Sequence, residues 1–114
     1  MDDYRGPLHL SRKAVEDAVP DGVPGSFALG HARPHESAAF ISFVGRSDAS
    51  LRETLLRHVG SHYTAFYWLP AASAEEAWLQ QCALWHEMGG PDGLLHSGGH
   101  PMPPGNLRCP RCGF

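Results

Sequence analysis

The sequence predicts a small α+β domain in which an antiparallel sheet of about three strands packs against helices. Short runs rich in aromatic and β-branched residues alternate with helical segments, and each helical segment follows a serine suited to the N-cap position. The chain has 114 residues, of which 42% are hydrophobic and 18% are charged. This length and composition are typical of one globular domain, so we expect a single core.

The first half of the chain predicts one helix and a β-hairpin. Residues 11–19 read as a helix that begins at Ser11 and is stopped by Pro20. Residues 26–30 form a short strand, and the more apolar residues 38–44 form a second one. A polar loop joins the two strands, which predicts that they pair as a hairpin.

The second half contains two capping boxes, in which a serine is followed three residues later by a glutamate. They are Ser50 with Glu53 and Ser73 with Glu76. The first helix runs through His58, and the second is longer and ends at Gly89 and Gly90. Between them, residues 63–69 are rich in β-forming side chains and predict a third strand.

Changes in composition divide the chain into three parts. Residues 1–23 carry the N-terminal helix and a turn, residues 24–90 form the core, and residues 91–114 form a tail rich in glycine and proline. The tail has no apolar run from which to build its own core. We therefore expect a cross-link to hold it in place.

Three cysteines and one histidine predict a structural Zn²⁺ site of the Cys3His kind. Cys82 and His86 are four residues apart in the predicted long helix, so their side chains project from the same face. Cys109 and Cys112 form a C-x-x-C near the end of the chain, where proline and glycine favour a tight turn. All four can reach one ion together.

Several alternatives remain open at this site. His100 is the main rival to His86 as the fourth ligand, and His96 is a weaker one. Cys109 and Cys112 also allow a terminal disulfide, a redox C-x-x-C or inert thiols. The acidic N-terminus without an apolar run argues for a cytoplasmic, reducing compartment, which disfavours the disulfide.

Charge and hydropathy limit the partners. The net charge is −3 with histidine neutral, which is unfavourable for a dedicated nucleic-acid-binding protein, although eight arginines could still form a local patch. No apolar run approaches the roughly 18 residues that a membrane helix needs. We therefore expect no membrane partner, and the oligomeric state stays open.

The order of elements and four short segments resemble the GIY-YIG nuclease family. Residues 24–27 match the first motif, residues 43–47 the second, residues 51–58 the following helix and residues 75–81 the later helix. The resemblance covers residues 24–86. A histidine-proline pair and a terminal Cys-Pro-x-Cys further resemble a bacterial subgroup of this family.

The resemblance implies that the positions of the family's catalytic groups have changed. Phe27 and Phe43 stand where the family has motif tyrosines, so the hydroxyl groups are missing. Thr54 matches the family's arginine, and Gln81 matches the carboxylate that holds a divalent cation. Because a neutral amide binds Mg²⁺ poorly, these replacements imply loss of nuclease activity.

Two functions follow from the resemblance. The first is a catalytically degenerate domain that binds nucleic acid or a protein partner. The alternative is an active endonuclease, dependent on Mg²⁺ or Mn²⁺, with relocated catalytic groups. The residues that could substitute are Arg46, Arg52 or Arg57 for the arginine, Glu76 for the carboxylate, and His58, His62 or Tyr63 for a base. A regulatory interaction module without a basic groove is a third class.

Overall fold

The computed structural model describes residues 1–94 and 100–110. In this part of the chain, a four-stranded antiparallel sheet packs against three α-helices, which confirms the α+β class. The strands are β1 (Arg5–His9), β2 (Gly25–Ala32), β3 (Ala39–Ser47) and β4 (Ala65–Pro70). The helices are α1 (Arg12–Ala18), α2 (Leu51–His58) and α3 (Ala74–Glu87), and a 3-10 turn spans Gly90–Asp92.

The predicted hairpin is present, and both of its strands are longer than expected. β2 and β3 pair from Gly25 opposite Ser47 to Ala32 opposite Ala39, with an irregularity after Leu29. β4 pairs with the other side of β2, so the strand order is β1-β4-β2-β3. The hairpin therefore occupies one side of the sheet, and β3 is an edge strand.

The expectation of about three strands is wrong, because residues 5–9 add a fourth. β1 pairs antiparallel with β4, where Leu8 lies opposite Phe66 and His9 opposite Ala65. Gly6 and Pro7 weaken any local strand signal, since both residues are disfavoured inside strands. The strand forms because the edge of β4 supplies a partner and Leu8 packs against the core.

The serine caps confirm the predicted starts of all three helices. In each case the serine hydroxyl accepts a hydrogen bond from a backbone N–H in the first turn, which satisfies a donor without a helical partner. The pairs are Ser11 with Ala14 at 3.1 Å, Ser50 with Glu53 at 3.4 Å, and Ser73 with Glu76 at 3.1 Å.

The two faces of the sheet carry separate apolar clusters. Phe27 and Phe66 face α1 and α2, where they pack with Val15 and Leu55. Alternate strand residues such as Ala28 face α3 on the opposite side. A third, smaller cluster joins α3 to the segment after residue 100. Among the described helices, none is both long and apolar enough to cross a membrane.

Candidate functional site

The best-defined site is a cluster of two cysteines and two histidines, hereafter the metal centre. Cys82 and His86 lie on consecutive turns of α3, as their spacing predicts, while His100 and Cys109 come from the segment beyond the helix. One ligand-type atom from each residue lies within 4.8 Å of the others. The centre therefore joins residues almost thirty positions apart in the chain.

The sulfurs are the buried part of the metal centre. Cys82 and Cys109 are 1% and 2% exposed, and their Sγ atoms are 2.8 Å apart. The Nε2 atom of His100 lies 3.1 Å from Cys82 Sγ, and that of His86 lies 3.4 Å from Cys109 Sγ. The two Sγ and two Nε2 atoms are close enough together for one ion to reach them all with ligand bonds of about 2.0–2.3 Å.

A shared carbonyl orients the His100 ring. The carbonyl oxygen of Pro101 accepts from His100 Nδ1 at 2.9 Å and from the Trp78 indole Nε1 at 3.2 Å. A carbonyl can only accept, so Nδ1 carries the ring proton and Nε2 of the neutral ring presents its lone pair toward the sulfurs. Trp78 is fully buried in α3 and fixes the carbonyl in turn.

Trp85 forms an aromatic wall beside the two histidines. Its ring centroid lies 5.0 Å from that of His86 and 5.1 Å from that of His100. Gly90, in a left-handed conformation with φ of 60°, lies against the same indole, where a Cβ would be 3.0 Å from the ring. The Trp85 ring therefore restricts the rotation of both imidazoles.

The four described side chains can bind a metal ion, with two soft sulfur and two imidazole ligands. His100, expected from the sequence as an alternative to His86, is present together with His86. Cys112 and His96 lie outside the described residues. The predicted participation of Cys112 therefore stays a prediction.

A second site gathers the four residues that the resemblance predicted at catalytic positions. They line one open cavity of about 360 Å³, hereafter the groove. Its lining comprises Phe27, Phe43, Gly45, Arg46, Asp48, Thr54, His58 and Gln81. The groove lies where the β2–β3 hairpin, α2 and the middle of α3 meet.

Charged side chains in the groove are already paired. Arg46 donates from Nε to Asp48 Oδ1 at 2.7 Å and from Nη1 to Gln81 Oε1 at 2.8 Å. Arg46 is 16% exposed, so this ion pair is partly shielded from water. The positive charge of the guanidinium is therefore compensated within the groove.

His58 supplies an imidazole that favours its neutral form. Burial lowers the pKa of His58, and the positive charge of neighbouring Arg57 lowers it further. The ring packs against Phe27 and Phe43, with centroids 5.7 Å and 5.9 Å away. At neutral pH the His58 ring is thus uncharged.

Two of the expected substitutes point elsewhere. Arg52 donates to the carbonyls of Val19 and Glu16, which ties α2 to α1. Glu76 accepts from Gln80 and is not part of the groove lining. Of the expected substitutes, Arg46 and His58 line the groove.

Sequence reasoning missed Asp48 as the carboxylate of the groove. Its position two residues after Arg46, in the short loop between the hairpin and α2, is the local signal that could have found it. The expectation favoured Glu76 because helical spacing placed that residue near Gln81. The loop brings Asp48 to the guanidinium instead.

Comparisons with known proteins identify no relatives. No protein-family model matches the chain, and neither a curated protein nor a solved structure shows significant similarity to it.

Proposed function

We propose that the chain is a zinc-stabilised, GIY-YIG-like binding domain without nuclease activity, and that its groove binds nucleic acid. The observation that carries the zinc is the convergence of Cys82, His86, His100 and Cys109. The replaced positions in the groove support the loss of catalysis. The resemblance that links the two sites rests on short motifs and on the order of the elements.

Zinc is the ion that suits the donor set best. Two thiolates and two imidazoles around one ion are typical of structural zinc, whereas Mg²⁺ and Ca²⁺ require oxygen ligands. Residues 100–110 contain no helix or strand, so few backbone hydrogen bonds hold this described segment. Metal bonds from His100 and Cys109 to α3 would supply the missing constraint.

The ligand set of the proposed site has two versions. His100 and the other three described residues already supply the two thiols and two imidazoles of a Cys2His2 site. A Cys3His site with Cys112 would have to release one imidazole. Cobalt substitution separates them, because the sulfur-to-cobalt charge-transfer band grows with the number of thiolates. In the Cys2His2 version, Cys112→Ser leaves this band unchanged, while His100→Ala alters the ligand field.

The groove supports binding better than hydrolysis. Phosphodiester hydrolysis needs an activated water and a cation or arginine placed on the developing charge. Phe27 and Phe43 have no oxygen, Gln81 is neutral, and the Arg46 guanidinium is bound to Asp48. Polar groups dominate the lining beside the rings, which favours nucleic acid over a protein partner, whose docking sites are apolar at the centre.

An active nuclease remains the second candidate because of two groove residues. Asp48 is a carboxylate that could hold Mg²⁺ or Mn²⁺, and the neutral His58 could accept a proton from water. This version requires Asp48 to exchange its ion pair with Arg46 for a cation. It predicts cleavage that disappears in Asp48→Asn and in His58→Ala.

One set of assays on a single zinc-loaded sample tests the proposal. Single-stranded, double-stranded and branched DNA are incubated with Mg²⁺ or Mn²⁺, and both binding and cleavage are followed. We expect binding of at least one of these DNA forms, and no cleavage. Cleavage abolished by the groove variants would establish the second candidate, and absence of both binding and cleavage would refute both nucleic-acid functions.

A further inference from the structure

The groove has one aromatic wall. Phe27 and Phe43 lie with ring centroids 6.1 Å apart, and the His58 ring packs against both. Gly45 allows this arrangement, because a Cβ at that position would lie 2.5 Å from the Phe27 ring and 2.8 Å from the Phe43 ring. Phe27 is 1% exposed, so the half-buried Phe43 and His58 rings form the part of this wall that a ligand can reach.

Neither an anion nor a cation is favoured by the charges of the groove. Arg46 and Asp48 neutralise each other at 2.7 Å. A phosphate would have to displace the carboxylate from the guanidinium, and a divalent cation would have to displace the guanidinium from the carboxylate. An uncharged ligand leaves this ion pair intact.

Hydrogen-bonding groups of both kinds surround the aromatic wall. A guanidinium has more N–H donors than the two that Arg46 uses for Asp48 and Gln81. The Gln81 amide also has N–H donors, the Asp48 carboxylate has further acceptor capacity, and Thr54 contributes a hydroxyl. A ligand that suits the groove therefore has donors and acceptors along the edge of a flat ring.

From these features we infer that the groove binds the uncharged ring of a nucleobase. The ring would lie against the wall formed by Phe43 and His58, and its edge would meet Arg46 and Asp48. Stacking on aromatic side chains combined with hydrogen bonds to a base edge is a common mode of recognition of unpaired bases. The inference rests on the proposed function, since it names the part of a nucleic acid that this groove accepts.

The base can come from a free nucleoside or from a single strand. The zinc-loaded full-length chain is titrated separately with the four ribonucleosides, a short single-stranded oligonucleotide and inorganic phosphate. Binding is followed by ¹H–¹⁵N correlation spectra. We expect saturable shifts for groove residues such as Gly45 and the Gln81 side chain with at least one nucleoside, and no such shifts with phosphate. Tighter binding of the oligonucleotide would identify the strand as the source.

Variants connect these shifts to the groove. Arg46→Met removes the hydrogen-bond donors that would face the edge of the base. Thr54→Val removes the side-chain hydroxyl with little change in volume. We expect Arg46→Met to weaken nucleoside binding at least tenfold and Thr54→Val to weaken it several-fold. Arg33→Met is the matched control, because Arg33 lies over the exposed Phe40 ring, away from the groove. This control should bind as the wild type does.

The outcomes separate the inference from the proposed function. Oligonucleotide binding that is insensitive to both groove variants would overturn the inference but leave nucleic-acid binding standing. Groove shifts with phosphate alone would also overturn it, in favour of an anion site. If no nucleoside and no oligonucleotide bind, both the inference and the proposed nucleic-acid function are wrong.

Discussion

At the scale of single residues, the metal centre depends on groups that are not themselves candidate ligands. Trp78 donates its indole N–H to the Pro101 carbonyl that also fixes the His100 ring. Hydrogen bonds of this kind select the tautomer and direction of a ligating imidazole. Trp78 is therefore a positioning residue for His100.

Replacing Trp78 by phenylalanine should lower the affinity for zinc about 10–100-fold. The aromatic volume is largely kept, but the Pro101 carbonyl loses a donor and the His100 ring gains freedom. A competition titration with a chromophoric chelator measures the affinity. Trp68→Phe is the matched control, since Trp68 is equally buried and its indole nitrogen has no partner in the described part of the chain. Equal affinity losses in both variants would contradict the role given to Trp78.

His58 should titrate below its ordinary pKa of about 6.5. Burial is the larger cause and the charge of Arg57 the smaller one. The folded state thus favours the neutral ring, so the contribution of His58 to stability is present above pH of about 6.5 and declines as the pH falls toward the lowered pKa. NMR titration of the His58 ring gives the value directly.

Removing the positive charge of Arg57 tests which factors lower the pKa of His58. In Arg57→Gln the pKa of His58 should rise while staying below the ordinary value, because burial remains. Lys13→Gln is a distant control and should leave it unchanged. A His58 pKa at or above the ordinary value in the wild type would show that the ring is not held neutral.

At the scale of secondary-structure elements, α3 connects the two sites. Gln81, which accepts from Arg46 in the groove, is adjacent in sequence to Cys82 of the metal centre. Neighbouring positions on a helix point about 100° apart, so one helix can serve both sites. The α3 helix therefore positions a groove residue and half of the metal ligands.

Local patterns predicted most of these elements because the signals are local. Serine caps specified the starts of α1, α2 and α3, and β-forming runs specified the hairpin and β4. β1 could not be found this way, because its pairing depends on the exposed edge of β4 and not on its own Gly-Pro sequence. Strand propensity predicts a strand poorly when pairing with a neighbouring strand determines whether it forms.

The same contrast holds for the candidate site. The helical spacing of Cys82 and His86 predicted two ligands, since i and i+4 share a face. His100 was predicted only as an alternative ligand, because residue spacing along the chain does not show where a loop comes back into contact with a helix. Asp48 was missed because the carboxylate was expected on α3, although its position two residues after Arg46 was a local signal.

Gly30 should be among the least replaceable residues of the hairpin. It lies at the irregularity between β2 and β3, where a Cβ would be 1.8 Å from the carbonyl oxygen of Phe40. Gly30→Ala must push the β2 and β3 backbones apart. We expect it to lower the free energy of unfolding by about 3 kcal/mol or more. Gly22→Ala is the control, because a Cβ there meets open space despite the positive φ. Gly22→Ala should lower the free energy of unfolding by only about 1 kcal/mol. Urea unfolding measures both values.

At the scale of the whole molecule, the metal centre closes the structure at the end of the described chain. The sheet has its own apolar clusters on both faces, whereas the segment after residue 100 contributes to a small cluster around Trp78, Cys82 and Cys109. A small domain has little surplus stability for ordering such a segment. A bound ion would supply it through the ligand bonds.

Chelation should therefore loosen the C-terminal segment before it unfolds the sheet. With zinc bound, we expect the amides of Met102 and of residues 105–109 to be protected from hydrogen exchange, and removal of the ion should expose them. Amides in β2 and β4 should keep most of their protection, because the sheet core does not include the ligands. Simultaneous loss of protection everywhere would mean that the ion holds the whole fold and not this segment alone.

The most direct measurement is native mass spectrometry of the full chain purified without added metal. We expect a folded charge-state distribution in which each chain carries one zinc ion, and loss of that ion in Cys82→Ser and Cys109→Ser. A wild-type chain that is folded and metal-free, and that gains no mass when zinc is added, would contradict the metal centre.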